Sequence, residues 1–276
     1  MPIQHISAFS DGSTGGNPAG VVLCDSMPGT DVMQTLAAEI GYSETVFAAP
    51  DQSGWRVRYF SPEVEVDFCG HATIALGAVL AKTEGPGTFS LTLNRADITV
   101  EGRYSEQEWG ASFQSPPTHS RAIDSDLLVE ALALFGLDFD DLDTRIPPAI
   151  AHGGGDHLIL ALKERKTLQT MQYDQREGRD LAVREGLVTF SLIYAEQDRL
   201  FHSRNPFPVG GVFEDPATGA AAAALAGYLR DIDWPHKGSI VIIQGEDMGM
   251  PSRLEADIAP QIGSSIRVSG MVRLIR

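Results

Sequence analysis

Two stretches of small apolar residues, Ala72 to Ala81 and Ala217 to Leu229, run almost without a charge. A surface helix alternates an apolar stripe with a wet face, so these runs predict two helices buried on every side. Around them lie strand-length segments of alternating or branched character: Ile3 to Ser10, Ala19 to Leu23, Val57 to Phe60, Phe89 to Leu93, Leu158 to Leu162 and Leu187 to Ala195. Asp31 to Ile40 has the spacing of an amphipathic helix stopped by Gly41, and Asp124 to Phe135 predicts another helix. Ser43 to Ala48 reads as a strand with a carboxylate, Glu44, at its start. Ser264 to Arg276 reads as one or two closing strands. The expected fold is α+β, with curved, mostly antiparallel sheets or barrels wrapped around the buried helices.

The two runs share a plan. Cys69-Gly70-His71-Ala72-Thr73 precedes the first, and Glu214-Asp215-Pro216-Ala217-Thr218-Gly219 leads into the second. Matching the Ala-Thr pairs sets Gly70-His71 against Asp215-Pro216 and Cys69 against Glu214. The chain therefore reads as two related halves. The Ser-, Pro- and Thr-rich stretch around Pro116-Pro117-Thr118 marks the boundary. This gives domains 1–118 and 119–266, with a C-terminal strand near 267–276 returning to the first. The start of a buried helix leaves backbone N–H groups unpaired and carries partial positive charge. Two such starts facing each other would form an anion site.

A length of 276 residues suits two domains, each able to bury its own core. A formal net charge of −16 argues against nucleic acid or an anionic membrane surface as partner, since both would repel the molecule. A small anionic metabolite remains compatible, because helix ends act locally. The N-terminus lacks the basic start and apolar run of a signal peptide, and no segment is flanked as a membrane span would be, so the expected location is cytoplasmic. The 2 cysteines, Cys24 and Cys69, suit neither a disulfide framework nor a zinc site. The glycine-rich turn from Asp11 to Pro18 lacks the Gly-Lys-Ser/Thr ending of a phosphate loop.

Glu44, His71 and Asp215 are the candidates for chemistry. Each has a plain structural alternative: a solvated strand-end carboxylate, a core histidine, and a helix cap followed by proline at the first helical position. Their placement at paired helix starts favours convergence in one cleft. Cys69 at a helix start could be an activated thiol or a small buried hydrophobe. A two-thiol racemase would need a second cysteine across the cleft, and the second half has none. A carboxylate with a histidine and an aspartate suits proton transfer at carbon. Hydrolysis fits less well, with no Gly-x-Ser-x-Gly or His-Glu-x-x-His pattern. His5, His119, His152, His157, His202 and His236 show no ligand-like spacing, although His152 and His157 flank a glycine turn.

In order along the chain stand Phe9 with Gly16-Asn17-Pro18-Ala19-Gly20-Val21-Val22, Ser43-Glu44-Thr45-Val46-Phe47, Phe68-Cys69-Gly70-His71-Ala72-Thr73, Glu214-Asp215-Pro216-Ala217-Thr218-Gly219-Ala220, and Gln244-Gly245-Glu246 leading to Pro251-Ser252. Together they resemble the phenazine-biosynthesis isomerase-like (PhzF-like) proteins of the diaminopimelate-epimerase-like fold. The resemblance implies two pseudo-symmetric domains, an active site in the cleft between them, a homodimer, and neither cofactor nor metal. It assigns Glu44 as the acid/base and His71 and Asp215 as polar partners in proton movement. Gly70, Ala72, Thr218 and Gly219 would hold a substrate carboxylate at the helix starts, with Asn17 and Ser43 as further contacts. The expected activity is a double-bond shift by proton transfer on a small carboxylate-bearing metabolite, of the dihydro-hydroxyanthranilate kind. An amino-acid or hydroxy-acid epimerase or racemase, and a non-catalytic metabolite-binding protein, are the alternatives.

Overall fold

A computed structural model describes residues 2–52, 54–105 and 107–275, which form two compact units. The first runs to Gln114 and takes in the segment from Ser269 onward; the second is Ser115–Val268. Ser115–Thr118, which the sequence pattern leaves with the first half, thus packs with the second. Thr118 explains this: its hydroxyl donates to the Ser264 carbonyl at 3.0 Å and accepts from Arg230 at 2.8 Å. Arg276, the expected end of the closing strand, lies outside the described residues. Among those residues, no helix is long and apolar enough to cross a membrane.

The first unit contains β1 (Ile3–Ala8), β2 (Asn17–Leu23), α1 (Thr30–Ile40), β3 (Glu44–Asp51), β4 (Gly54–Phe60), β5 (Glu65–Val66), α2 (Gly70–Glu84), β6 (Gly87–Thr92), β7 (Asp97–Ser105) and β8 (Glu108–Gln114). The second contains β9 (His119–Ala122), α3 (Ser125–Phe135), β10 (Ala149–His152), β11 (Asp156–Ala161), α4 (Arg165–Gln169), α5 (Gln175–Glu185), β12 (Leu187–Gln197), β13 (Leu200–Pro206), β14 (Glu214–Asp215), α6 (Gly219–Asp231), β15 (Ser239–Gln244) and β16 (Ser252–Ile258). The last strand, β17 (Ile266–Leu274), begins in the second unit, and its later residues belong to the first, pairing Ala8 with Val272 and Ile6 with Leu274.

The duplication is visible in strand pairing. In the first unit β1 is antiparallel to β2, β2 parallel to β3, β3 antiparallel to β4, β4 parallel to β6, and β6 antiparallel to β7. The second unit repeats the same alternation through β10, β11, β12, β13, β15 and β16. In each, a two-residue strand folds back on its neighbour just before the central helix: β5 on β4, β14 on β13. The first sheet closes into a barrel, because β8 also pairs with β7 and β17 and β17 pairs with β1.

The uncharged runs are the central helices, and every residue of α2 from His71 to Ala81 is buried. Their small residues allow strands to press close. A Cβ on Gly102 of β7 would lie 2.2 Å from the Gly77 carbonyl of α2, and one on Gly227 of α6 would lie 2.5 Å from the Thr118 hydroxyl. Ile74, Leu76 and Leu80 fill the space left over, at roughly 1.5–3 kcal/mol for each fully buried side chain. In the second unit, α3 and α5 contribute Leu132, Phe135 and Leu181 to a separate cluster that includes Ile150 and Leu158 from the sheet.

Helix starts depart from the sequence expectation. The α6 cap is Thr218 and the α2 cap is Cys69, so Cys69 corresponds to Thr218 and Gly70 to Gly219. The Ala-Thr match is therefore out of register by one helical turn, and Asp215 does not correspond to Gly70 or His71. Nor is Asp215 a helix cap with Pro216 as the first helical residue. It belongs to β14, where pairing with Asn205 holds it outside the helix.

Candidate active site

In the first unit, the end of β1, the starts of β2 and β3 and the start of α2 bring five of the residues singled out above together. Asn17 opens β2 and pairs with Ala8; Glu44 opens β3 and pairs with Ala19. The chain reaches Asn17 through a tight turn: Phe9 has φ 58° and Gly16 φ 81°. A side chain at Gly16 would meet the Ser7 hydroxyl at 2.5 Å and the Ala8 carbonyl at 2.7 Å. His71, the second residue of α2, is buried and lies with Nε2 3.4 Å from the Glu44 carboxylate and 3.4 Å from the Ser43 hydroxyl. Its Nδ1 is 3.2 Å from Asn17 Nδ2 and 3.3 Å from Cys69 Sγ.

The Asn17 contact favours one tautomer. The amide N–H of Asn17 donates to Nδ1, which puts the proton of a neutral imidazole on Nε2, facing Glu44. Glu44 is the more open partner, its side chain 16% exposed against 6% for His71. A carboxylate that solvent or a small molecule can reach, backed by a fixed N–H donor, can take up and return a proton.

Below the cluster the helix start is locked. Thr73 donates its hydroxyl to the Cys69 carbonyl at 2.7 Å, so the Tyr59 hydroxyl, also 2.7 Å away, donates to Thr73. Burial holds the Tyr59 phenol well above its ordinary pKa, consistent with that donor role. Ala72 is fully buried, leaving its backbone N–H as the group it can offer beside that of Gly70. Glu44, Cys69 and His71 each have a ligand atom within 4.8 Å of the others, a set that could also hold a metal ion. Linear spacing has no access to this grouping, since strand pairing unites residues distant in sequence.

The second unit builds a different polar knot. Asp215 accepts from the Thr218 hydroxyl at 2.6 Å. Gln244, at the end of β15, accepts from the Thr218 backbone N–H at 3.2 Å and donates to the Asp215 carbonyl at 2.6 Å. In the sequence Gln244 stands only as part of a motif; its burial, which makes it a clamp, shows in the fold. A Cβ on Gly245 would lie 2.4 Å from the Met250 carbonyl. Gly219, the first residue of α6, is buried and can offer only its backbone.

Each unit also carries an arginine–glutamate bridge that the sequence reading missed. Arg58 of β4 holds Glu65 of β5 at 2.7 Å, and Arg204 of β13 holds Glu214 of β14 at 2.8 Å. The first is partly exposed, at 16% and 24%; the second is buried, at 7% and 5%. The hydrogen bond from Arg58 pulls the Glu65 carboxyl below its ordinary range. The spacing differs, Arg-x₆-Glu against Arg-x₉-Glu, which hid the correspondence.

A duplicated α+β unit whose buried helix begins beside a carboxylate–imidazole pair defines equipment for proton transfer, and comparison with known proteins narrows the class. The phenazine biosynthesis-like protein profile matches residues 6–273. A trans-2,3-dihydro-3-hydroxyanthranilate isomerase of Pseudomonas aeruginosa is 34% identical, covering 96% of this chain and 94% of its own length. An uncharacterized isomerase of Deinococcus radiodurans is 32% identical, covering 92% and 85%. The crystal structure of a PhzF-family phenazine biosynthesis protein from Bacillus anthracis matches with a TM-score of 0.88 at 20% identity, covering 99% of this chain and 96% of that one. The chain belongs to the phenazine biosynthesis-like family. Its fold is diaminopimelate-epimerase-like, and its enzyme class is isomerase.

Proposed function

We propose that this isomerase moves a proton from one carbon to another on a small carboxylate-bearing metabolite, a dihydro-hydroxyanthranilate or a compound of that kind, using Glu44 as acid/base and no bound cofactor. The observation that carries the reading is the accessible Glu44 carboxylate 3.4 Å from His71 Nε2, with the imidazole oriented by Asn17. Glu44 takes a proton from an sp³ carbon next to a double bond. The electron pair left behind forms a new double bond, the old one shifts, and the proton returns at its far end. His71 Nε2–H steadies the carboxylate before the first transfer and again after the second, when Glu44 has given the proton back. The backbone N–H groups at the start of α2 favour a substrate carboxylate. Asp215, held by Thr218 and Gln244, is required for the same reaction in this reading.

Proton NMR in deuterium oxide with a dihydro-hydroxyanthranilate and a panel of small unsaturated acids tests it. Wild-type protein incorporates deuterium at carbon, chelator leaves the rate unchanged, and Glu44→Gln lowers it roughly a hundredfold to ten-thousandfold. Asp215→Asn is slowed while circular dichroism stays native. Exchange retained in Glu44→Gln removes Glu44 from the mechanism, and exchange abolished by chelator replaces the proton shuttle with metal-assisted chemistry.

A further inference from the structure

Three neighbouring strands of the second unit each place one ligand-type side chain in a row. His119 of β9 pairs directly with His152 of β10, and His152 pairs with Asp156 of β11. Residues directly opposite one another in adjacent strands share a face of the sheet, so the three side chains project together. The imidazoles of His119 and His152 stack with centroids 4.7 Å apart and planes 20° apart. His152 Nδ1 is 2.7 Å from Asp156 Oδ1. Ligand atoms of all three lie within 4.8 Å of one another. His119 is exposed, and His152 and Asp156 are about one-third exposed, so an ion can reach the row from solvent.

We infer that His119, His152 and Asp156 form a binding site for a divalent transition cation of the zinc, nickel or copper type. Two imidazoles and a carboxylate are the donors such ions prefer, whereas magnesium and calcium demand more oxygen. At zinc bond lengths of about 2.0–2.2 Å the donor atoms of a tetrahedral site stand roughly 3.4 Å apart, a distance that small side-chain rotations supply from the present spacing. The cation takes the place now held by the hydrogen bond between His152 and Asp156. Arg121 Nη2 lies 3.6 Å from the other Asp156 oxygen, Oδ2, and keeps that oxygen occupied while Oδ1 turns to the metal. The hairpin between His152 and Asp156 is Gly153-Gly154-Gly155, and Gly153 sits against α6, where a Cβ would be 2.5 Å from the Ala224 N. The backbone beneath two of the three ligands is thereby fixed. This site lies wholly in the second unit and does not depend on the proposed isomerisation.

Isothermal titration of untagged, chelator-treated full-length protein with zinc, followed by cobalt absorption spectra, tests the site. The experiment is run in a Cys69→Ser background so that the Glu44, Cys69 and His71 set contributes no thiolate. One ion binds per chain, and His119→Ala and His152→Ala each weaken binding roughly tenfold or more. His119 is exposed, so its replacement leaves the fold intact, which circular dichroism verifies. A zinc-bound crystal structure with anomalous density at the row supports the site. Absence of binding up to millimolar zinc, or equal affinity in the Cys69→Ser protein with and without the His119→Ala/His152→Ala pair, overturns it.

Discussion

His157 gives the second unit a built-in sensitivity to acid. It is fully buried on β11, its Nδ1 is 2.7 Å from the Thr189 hydroxyl, and burial pushes its pKa down from 6.5 to about 3. Attraction from Asp156 opposes that shift without cancelling it, and His152 adds to it. A histidine with a depressed folded pKa costs nothing above its unfolded pKa. Below that value the unfolded chain takes up a proton that the folded chain refuses. Stability therefore falls as pH drops from about 6.5 toward 3, at up to about 1.4 kcal/mol per pH unit. At pH 5 the accumulated loss is about 2 kcal/mol, a large share of the stability of an ordinary domain. Urea denaturation at pH 7.5 and 5.0 measures it, read through Trp234 in a Trp55→Phe/Trp109→Phe background so that only the second unit reports. In His157→Gln the loss between the two pH values shrinks by about 2 kcal/mol, because the amide can still pair with Thr189 but does not titrate. Equal losses in the two proteins would refute the assignment of acid sensitivity to His157.

Two further predictions concern stability. Glu214→Gln leaves the buried Arg204 guanidinium without its counter-charge and costs about 3 kcal/mol, whereas Glu65→Gln, at the partly exposed copy of the bridge, costs about 1 kcal/mol or less. Urea midpoints at pH 7 compare them, and equal losses contradict the assigned difference in burial. Gly102→Ala drives a methyl into the Gly77 carbonyl and destabilises the first unit by about 1–3 kcal/mol, read from thermal denaturation. An unchanged melting temperature would show that α2 and β7 can separate without cost.

The two central helices were legible because uncharged runs of small residues have few other destinations, and α1 and α3 because their glycine stops and the Asp124 cap lie in the sequence itself. Glu44, His71, Asn17 and Cys69 were named from motifs, and the first unit brings their side chains together. The register of the repeat was misread because an Ala-Thr pair looks alike inside a helix and at its cap. The helix starts distinguish the two positions: Thr73 donates to the Cys69 carbonyl from inside α2, whereas Thr218 caps α6 and donates to Asp215. The His119, His152 and Asp156 row escaped notice for a different reason. Its members are brought side by side by strand register, and a linear spacing rule has no access to that.

The arginine–glutamate bridges separate the mounting of each helix start from what the start presents. Arg58 with Glu65, and Arg204 with Glu214, fasten the short strand ahead of each central helix, while the tips beyond them differ: Cys69-Gly70-His71 in one unit, Thr218-Gly219-Ala220 in the other. The bridges themselves use no tip residue, so Cys69, Gly70 and His71, or Gly219 and Ala220, can change without touching them. Such a scaffold can acquire new substrates by rewriting a few residues at a time, each change being tried on a helix that is already in place.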